Sequence, residues 1–432
     1  MIPANSLFLG LDFGTSGARA CVISPHGDIE EMARRDFGCD MSAADLHTAR
    51  LWHETLLELL SSLPKGLRKH LGALAIDATS ATVLACDAHF APLAIPLLYN
   101  DTRATAEAAH IAQRAGTSHP AAMASSGLAK AMWLRQHTPK ARFFMNQADW
   151  LSALLTGEAV SDLHNALKMG GIPGQKTAPA VWPGWLNECI AMTQLPRLVQ
   201  PGSAIGLMPV ALARTLGLSP DCLIRAGTTD SMAAFLATDA HRPGDAVTSL
   251  GSTLVLKVLS SQRVDAAEFG IYSHWFGDLW LTGGASNAGG SVLRQHFSDA
   301  ELAALSPLID PNQDTGLDYY PLPRPGERFP VNDPTMPPRL EPRPDNRAAF
   351  LHGLLEGLAR IEARGYARLQ ELGAPAPSHI TSMGGGAHNP VFTRLRSRLT
   401  HTPITPAPVQ EACFGTARLA QRGENLFFRE KT

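Results

Sequence analysis

Long apolar runs are missing from this sequence. No stretch approaches about 18 consecutive apolar residues, and the most apolar region, Leu71–Tyr99, is interrupted by Asp77 and Asp87. A helix that crosses a bilayer needs about 20 predominantly apolar residues, so no membrane span is predicted. The segment Met1–Leu11 lacks the basic region of a signal peptide and the Arg and Ser content of a transit peptide. We therefore expect a cytoplasmic protein with no membrane partner.

Charge is also scarce. Asp, Glu, Lys and Arg make up 18% of the chain, and the formal net charge is −2. Proteins that bind the phosphate backbone of nucleic acids need a basic surface, so this balance excludes a nucleic-acid partner. Hydrophobic residues make up 45% of the chain, which is typical of a globular protein and not of a disordered one.

Several familiar site patterns are absent. The six cysteines form no C-x-x-C pair, and the sixteen histidines show no tight ligand spacing. Scattered thiols of this kind are typical of reduced core residues in a cytosolic protein, and no zinc site is indicated. No G-x-x-x-x-G-K-[ST] loop occurs and no G-x-G-x-x-G follows a strand, so neither a Walker loop nor a dinucleotide fold is predicted.

Two halves of the chain open in the same way. At 432 residues the chain is too long for one ordinary core, so two domains are expected. The first half begins with two apolar runs, Leu7–Leu11 and Ala18–Ile23, on either side of a glycine-rich turn. The second begins with a similar pair, Ala246–Leu250 and Leu254–Leu259. Both read as β-hairpins, and strands then alternate with helices, as in an α/β fold.

The two hairpins divide the chain into two predicted domains, residues 1–237 and 238–432, although hairpins of this kind also arise by chance. The second domain contains a proline-rich stretch, Pro311–Pro344, whose composition is also that of a disordered linker. A packed, irregular segment is favoured by its aromatic residues Tyr319, Tyr320 and Phe329. A long helix is predicted to follow, from about Arg347 to Leu372.

The turns of both hairpins have the composition of phosphate-binding sites. Backbone N–H groups at a turn bind phosphate, glycine lets the backbone approach closely, and Ser and Thr hydroxyls add donors. Both turns combine these features. The candidate ATP-binding residues are Gly14, Thr15 and Ser16 in the first turn and Gly251, Ser252 and Thr253 in the second.

Two carboxylates stand at the ends of predicted strands. Asp12 closes the first strand, where it is either a ligand of Mg²⁺, which prefers oxygen, or a turn-forming residue bonded to its own loop. Asp230 follows the predicted strand Cys222–Ala226 and opens the apolar helix Ser231–Ala237. The local sequence favours a helix N-cap there, and the alternative is a general base that accepts a hydroxyl proton.

Three consecutive glycines, residues 384–386, lie between the predicted strand His379–Met383 and a helix that Asn389 and Pro390 introduce. Consecutive glycines cost folding entropy, which favours a ligand-binding role over a plain helix-entry loop. The candidate contacts to the adenosine and α-phosphate of a nucleotide are Gly385, Gly386, Ala387 and Asn389.

Seven segments, in order along nearly the whole chain, resemble the FGGY family of carbohydrate kinases. The family patterns are the first phosphate motif, W/Y-N-D-x-R, the L-T-G stretch, the catalytic-aspartate segment, the second phosphate motif, G-E-R-x-P-x-x-D-P and the adenosine motif. Each match is weak alone, whereas seven in family order are specific. The matching segments are residues 9–16, 97–103, 149–162, 227–230, 251–253, 326–334 and 384–390.

The resemblance implies a two-domain α/β fold of the actin/Hsp70/hexokinase-like (ribonuclease H-like) ATPase type, with a cleft between the domains. It implies ATP and Mg²⁺ as cofactors and a small sugar as the other substrate. Asp230 is then the catalytic base, and Asp12 is a catalytic residue on the Mg²⁺ side. Both are also expected to contact the sugar. The proline-rich stretch is expected to be folded.

The loop Asp77–Thr82 takes the sugar-facing position of the family. It lacks the Gln-Met-His-Gly of xylulokinases and the Arg-Glu of glycerol kinases, and it is similar to the D-A-T-C/S of ribulokinases. The short plant and cyanobacterial kinases of D-ribulose look most similar, which makes D-ribulose the expected substrate. Ser80 is the candidate sugar ligand, although a Ser that bonds its own turn is an equal alternative.

Other functions stay open. The alternative substrates are D-xylulose, L-ribulose, glycerol and other polyols, and a different class of function is a non-catalytic nucleotide switch of the actin/Hsp70 type. Both a monomer and a homodimer are compatible with the sequence.

Overall fold

The computed structural model describes residues 2–38, 44–173 and 180–428. The chain divides into two compact units. The first unit comprises Met1–Ala237 and Glu411–Thr432, and the second comprises Thr238–Gln410. The sequence prediction assigned everything after residue 237 to the second domain, whereas in the structure the segment that begins at Glu411 packs with the first unit.

Strands and helices alternate along most of the chain. The strands are β1 Leu7–Phe13, β2 Gly17–Ile23, β3 Ile29–Asp36, β4 Leu71–Ala78, β5 Val83–Cys86, β6 Phe143–Asn146, β7 Val160–Asp162, β8 Arg197–Val199, β9 Ala204–Leu207, β10 Leu223–Arg225, β11 Thr228–Thr229, β12 Asp245–Leu250, β13 Leu254–Ser260, β14 His274–Phe276, β15 Leu279–Ser286, β16 His379–Met383 and β17 Ile404–Pro406. The helices are α1 Thr48–Ser62, α2 Lys65–Arg68, α3 Thr105–Ala115, α4 Gly127–His137, α5 Gln147–Thr156, α6 Leu163–Ala166, α7 Val210–Leu216, α8 Asp230–Leu236, α9 Gly290–His296, α10 Asp299–Leu305, α11 Arg347–Glu371, α12 Pro390–Thr400 and α13 Ala412–Arg422.

The first unit is built on a mixed sheet with strand order β3-β2-β1-β4-β10-β9, to which β11 adds by pairing with β4. Strands β1, β2 and β3 form an antiparallel meander, and β1 runs parallel to β4. Every residue of β4 is buried, as expected for a central strand covered on both faces. The predicted hairpin at the start of the chain is therefore confirmed.

Helix α13 covers one face of this sheet, packing against β1, β2, β4 and α8. Its close approach depends on glycine: a Cβ at Gly10 would lie 2.1 Å from the carbonyl oxygen of Cys413 and 2.2 Å from the amide nitrogen of Ala417. Gly415 serves the same purpose from the helix side, since a Cβ there would lie 1.9 Å from the carbonyl oxygen of Ala233. This packing explains why residues after 410 join the first unit.

The second unit repeats the plan with strand order β14-β15-β13-β12-β16-β17. Strands β12 and β13 form the predicted second hairpin, and β12 runs parallel to β16. The predicted long helix is confirmed as α11, which begins after Asn346, whose side chain accepts from the amides of the first turn. A core of aliphatic and aromatic side chains lies between this helix and the sheet.

The proline-rich stretch of the second unit is packed, as its aromatic residues predicted. Tyr319, Tyr320 and Phe329 are 2%, 1% and 0% exposed. Buried Glu327 accepts a hydrogen bond from the Tyr320 hydroxyl at 2.9 Å and from the Ser286 hydroxyl at 2.5 Å. The linker alternative is thereby excluded. Among the described residues, no helix combines the length and hydropathy that a membrane crossing requires.

Candidate active site

The carboxyl ends of three parallel strands meet at one edge of the first unit's sheet. Asp12 of β1 is paired in register with Asp77 of β4, and Asp77 is paired with Thr228 of β11. Asp230 follows β11 directly as the first residue of α8. In α/β sheets, ligands bind outside the carboxyl ends of the strands. The fold therefore brings together the two predicted carboxylates, Asp12 and Asp230, and adds Asp77 between them.

Asp12 is 4% exposed and bonded across the hairpin. Its Oδ2 accepts from Nη1 of Arg19, its cross-strand neighbour, at 3.1 Å. Burial raises the pKa of Asp12 above its usual value, and the charge of Arg19 opposes that rise. Among the described residues, no atom of the adjacent turn bonds the Asp12 side chain. The interpretation of Asp12 as a turn-forming residue is therefore wrong.

Asp77 is fully buried beside Asp12. Its Oδ2 accepts from the Thr416 hydroxyl of α13, and its Oδ1 has no hydrogen-bond partner among the described residues. Burial raises the pKa of Asp77 well above its usual value, and the negative charges of Asp12 and Asp230 add to that rise. Asp12 and Asp230 therefore both lie within electrostatic range of Asp77.

Asp230 is partly exposed at the N-terminal end of α8. The N-cap of this helix is Thr229, so the interpretation of Asp230 as the N-cap is wrong by one residue. The Asp230 Oδ1 accepts from the following amide, that of Ser231, at 2.7 Å. A carboxylate in the first helical turn is favoured by the helix dipole and stays accessible to a hydroxyl group.

The position of Asp230 depends on the nearby Gly227. Strands β10 and β11 both pair with β4, and Gly227 lies in the gap between them. A Cβ at Gly227 would lie 1.7 Å from the carbonyl oxygen of Ile76, so no larger residue fits where the chain passes β4. This close approach aligns β11 with the end of β4.

The loop after β4 carries the predicted sugar ligand Ser80. Among the described residues, none forms a hydrogen bond with its partly exposed side chain. The loop is instead held by its neighbours: the Thr79 hydroxyl donates to Oε1 of Gln147 at 2.9 Å and lies 2.7 Å from the hydroxyl of Thr82. The alternative of a Ser that bonds its own turn is therefore wrong, and the Ser80 hydroxyl is available to a ligand.

The turn between β1 and β2 is formed as predicted. The Gly14 amide donates to the Gly17 carbonyl at 3.0 Å, and Thr15 and Ser16 are exposed. Within the described chain, neither hydroxyl has a hydrogen-bond partner. A Cβ at Gly14 would come no nearer than 3.6 Å to the Gly17 carbonyl oxygen. The fold of this unit does not itself require glycine at position 14.

The second unit contains a cavity of about 850 Å³. Its walls are largely aliphatic, with Phe392 among them, and four of the predicted nucleotide ligands line it: Gly251, Gly385, Gly386 and Asn389. The other three predicted residues of this unit, Ser252, Thr253 and Ala387, are not among its lining residues. An apolar cavity with a few polar groups at its rim is the usual form of a small-molecule site.

The three consecutive glycines serve different purposes. Gly384 has a φ of 82°, and a Cβ there would lie 2.7 Å from the carbonyl oxygen of Leu250. A Cβ at Gly386 would lie 2.9 Å from the Leu250 side chain, whereas one at Gly385 would meet nothing within 4 Å. Packing against Leu250 therefore explains glycine at positions 384 and 386. Only at Gly385 does the entropic cost of a glycine still indicate a ligand.

Asn389 caps α12, as the sequence indicated. Its Oδ1 accepts from the amides of Val391 and Phe392 at 3.0 and 3.1 Å, and its Nδ2 donates to the Ser306 hydroxyl at 2.9 Å. Both ends of the amide are therefore already bonded within the fold. Asn389 shapes the wall of the cavity, and its side chain has little hydrogen-bonding capacity left for a nucleotide.

A magnesium ion fits the carboxylates of the first unit. Asp12 and Asp77 supply oxygen atoms, one of which, Oδ1 of Asp77, is buried without a partner among the described residues. No group of three or more His, Cys, Asp or Glu side chains within the described residues is suited to hold a metal ion. Mg²⁺ typically uses one or two carboxylates together with substrate phosphates and water, so this donor set is sufficient.

Sequence reasoning missed two parts of the site. Asp77 was noticed only within the sugar-facing loop, although its spacing at the end of a buried strand matches that of Asp12. Lys130 was not singled out at all, and it is fully buried beneath the same loop. The signal for Asp77 was available in the strand pattern, whereas a lysine in the middle of a helix normally indicates a solvated surface.

Two family models together match nearly the whole chain. The N-terminal domain of the FGGY family of carbohydrate kinases matches residues 7–237, and the C-terminal domain matches residues 246–423. A gluconokinase from Bacillus subtilis is 22% identical over 462 aligned residues, covering 96% of this chain and 87% of that protein. A D-ribulokinase from Saccharomyces cerevisiae is 22% identical over 299 residues, covering 58% of this chain and 41% of that protein.

Solved structures of sugar kinases have the same fold. The ligand-bound xylulose kinase from Lactobacillus acidophilus superposes with a TM-score of 0.82 at 16% identity, covering 99% of this chain and 90% of that chain. This likeness confirms the predicted two-domain α/β kinase fold. Because the family models span both units, the chain belongs to the FGGY family of carbohydrate kinases.

Proposed function

We propose that this kinase phosphorylates the ketopentose D-ribulose at its terminal hydroxyl, with ATP as the phosphate donor. The observation that carries the proposal is the meeting of Asp12, Asp77 and Asp230 at one sheet edge, with the unbonded Ser80 hydroxyl on the loop that follows β4. The short side chains of Ala78, Thr79 and Ser80, together with the likeness to the ribulokinase pattern, favour a ketopentose as the acceptor.

In the proposed reaction Asp230 is the general base. It accepts the proton of the sugar's terminal hydroxyl as that oxygen forms its bond to the γ-phosphorus and the bond to the bridging oxygen of ADP breaks. Proton transfer by a positioned carboxylate is favourable when the carboxylate is held rigidly and stays accessible. The Ser231 amide, which donates to Asp230 Oδ1 at 2.7 Å, helps to fix the orientation of the carboxylate.

Asp12 and the turn residues bind and orient the phosphates in this proposal. Backbone amides and hydroxyls of Gly14, Thr15 and Ser16 supply donors in the first unit, and the turn at Gly251, Ser252 and Thr253 supplies them in the second. Mg²⁺, held by Asp12, would neutralise phosphate charge during transfer. Gly385 and Gly386 line the proposed adenosine site, and Asn389 fixes its wall through the cap of α12. Phosphoryl transfer depends mainly on such positioning and charge stabilisation.

A substrate panel tests the proposal. Release of ADP from Mg-ATP is measured with D-ribulose, D-xylulose, L-ribulose, gluconate, glycerol and erythritol at matched concentrations. D-ribulose is expected to give the highest kcat/KM. A higher value for another sugar would reject the ketopentose assignment while leaving the kinase intact, and ADP release that no acceptor stimulates would support a nucleotide switch.

The role of Ser80 has its own test in the same assay. Ser80→Ala removes one hydroxyl at a position with no partner among the described residues, so folding stability is expected to change little. Loss of one substrate hydrogen bond is expected to raise the KM for the best sugar about fivefold to tenfold. Ser62→Ala, which removes a hydroxyl bonded to the Leu59 carbonyl on α1, is the matched control and should leave the KM unchanged.

A further inference from the structure

A buried lysine lies beneath the loop that carries Ser80. Lys130 of α4 is 0% exposed. Its Nζ donates to the carbonyl oxygen of Ala81 at 2.9 Å and to that of Leu98 at 2.6 Å. One amino group therefore joins two chain segments that are far apart in sequence.

The first of these segments continues from the active-site edge of the first unit, and the second lies beside it. Ala81 follows Ser80 in the loop after β4, and Leu98 begins the segment that continues to Arg103. Paired backbone hydrogen bonds between Val83 and Leu97, both at 2.9 Å, hold the two segments side by side. The position of the Ser80 hydroxyl thus depends on how firmly these segments are fixed to each other.

The loop adopts a conformation that needs support. Ala81 is buried with a φ of 61°, a left-handed conformation that residues with a Cβ rarely adopt. Such backbone persists only where the surroundings determine it. Gln147 holds one side of the loop, through its contact with Thr79 and through its own amide, which donates to the Thr82 carbonyl at 3.0 Å. Lys130 holds the other side at the strained residue itself.

The contacts of Lys130 suit positioning and not charge pairing. Within the described chain it has two carbonyl acceptors and no carboxylate at ion-pair distance. Burial lowers the pKa of Lys130 to about 7; the charge of Lys168 lowers it further, and that of Asp101 opposes the change. A neutral amine has two N–H donors, which match the two carbonyls, whereas an ammonium has a third to satisfy.

We infer that Lys130 is a positioning residue that fixes the Ser80 loop against the segment 98–103 and thereby sets affinity for the sugar. The inference rests on the proposed role of Ser80 and not on which sugar is preferred. It does not involve ATP, whose proposed ligands in the first unit lie on the turn between β1 and β2. The effect of changing Lys130 should therefore separate the two substrates.

Steady-state kinetics of Lys130→Met test the inference, with the sugar that the wild-type enzyme uses best. Methionine keeps the length and apolar volume of the side chain and removes both N–H donors. The KM for the sugar is expected to rise at least about tenfold, equivalent to losing one to two buried hydrogen bonds, while the KM for ATP stays within about twofold of the wild-type value. Lys140→Met, on an exposed lysine of the same unit, is the matched control and should change neither constant.

Three outcomes overturn the inference: an unchanged KM for the sugar, a parallel rise in both KM values, or a loss of thermal stability with kinetics intact in the folded fraction. If the methionine variant does not fold, Lys130→Arg supplies the readout instead. Arginine retains N–H donors but has a different shape, so the sugar KM should rise less than the rise expected for methionine, while the KM for ATP should stay unchanged. Failure of the proposed function is distinguishable, because in that case the wild-type enzyme itself shows no preference for a ketopentose.

Discussion

The two units use the same strand plan for different purposes. In the first, a hairpin and a third strand precede a parallel strand in the order β3-β2-β1-β4, and in the second the order β15-β13-β12-β16 repeats it. In both, a glycine begins the turn of the hairpin, at Gly14 and Gly251. The repeat allows the two turns to be compared residue by residue.

The registers of the two hairpins make the comparison specific. Phe13 pairs with Ala18 and Leu250 with Leu254, so Asp12 and Ser249 stand at corresponding positions, one residue before the end of the strand. Across the parallel pair Asp12 faces Asp77, whereas Ser249 faces Met383. The first unit thus has two buried carboxylates where the second has a serine and a methionine.

The difference shows how one scaffold supports two tasks. Two buried carboxylates at adjacent strand ends are costly without a cation or a proton, and functional sites are where such groups concentrate. The second unit has no corresponding charge and contains instead the cavity of about 850 Å³ beside its turn. We therefore expect substitutions of the first unit's carboxylates to affect chemistry and those of residues lining the second unit's cavity to affect nucleotide affinity.

Asp230→Asn gives the largest expected effect. The amide is nearly isosteric and cannot accept the hydroxyl proton, so kcat should fall by about 10²- to 10⁴-fold, the usual contribution of a general base. The affinity for ATP, measured by equilibrium titration, should be largely unchanged. Turnover at the wild-type rate in this variant would refute the assignment of Asp230 as the base.

The second largest effect is expected when a residue of the first unit is replaced by its counterpart in the second. Asp12→Ser gives the first unit the residue of the second, and kcat is expected to fall by about 10²-fold as a charged site residue is lost. The requirement for Mg²⁺, measured as the concentration for half-maximal rate, should rise. Arg19 keeps Glu411 as a partner at 3.4 Å, so the folding stability should change little.

Ser249→Ala is the control for that exchange and should reduce kcat by less than about threefold, because a neutral residue at this position supplies no charge to the reaction. A comparable loss in both variants would contradict the division of tasks between the units. A loss confined to Asp12→Ser would support it.

The elements that sequence reasoning predicted are those with strong local signals. Both hairpins, the helix α11 and the cap at Asn389 depend on residues close together in the chain, where period, turn composition and caps act directly. The packing of α13 against the first unit was not visible in the sequence, because it depends on contacts between residues about 400 positions apart, marked only by glycines at 10 and 415. No pattern in the local sequence predicts which of the two sheets a C-terminal helix will cover.

The same limit applies to the candidate site, where only the residues with a local signal were predicted. Asp12 and Asp230 were found because each ends or follows a strand, and position at a strand end is visible in sequence. The roles of the three glycines were not separable, since the neighbour that crowds Gly384 and Gly386 is Leu250, far away in the chain. Lys130 was missed because its burial depends on two carbonyls that only the fold brings to it.

Two glycines of the first hairpin separate packing from ligand binding. Gly10→Ala places a Cβ within about 2 Å of the α13 backbone, and overpacking of this kind typically costs about 1–3 kcal/mol of unfolding free energy. Gly14→Ala meets only ordinary contacts and has no positive φ, so stability should be unchanged or higher by up to about 1 kcal/mol. Urea denaturation measures both.

The same pair should differ in the opposite sense in kinetics. If the Gly14 amide approaches a phosphate, an added methyl should raise the KM for ATP about fivefold, corresponding to about 1 kcal/mol. The folded fraction of Gly10→Ala should keep the wild-type KM. An unchanged KM for ATP in Gly14→Ala would remove the support for phosphate binding at the first turn.

A pH dependence of stability is also expected to originate in the first unit. The folded-state pKa of Lys130 is about 7, below the unfolded value of 10.5. Between these values the unfolded chain binds a proton that the folded chain does not, so the Lys130 contribution makes stability rise with pH across this window, by at most about 1.4 kcal/mol per pH unit. Below pH 7 both states bind the proton and the contribution is flat.

Urea denaturation of the wild-type protein and Lys130→Met at pH 7, 8 and 9 measures the difference, and the variant should gain less stability with pH than the wild type. Equal slopes would mean that Lys130 keeps an ordinary pKa and that its ammonium is stabilised in the folded protein after all.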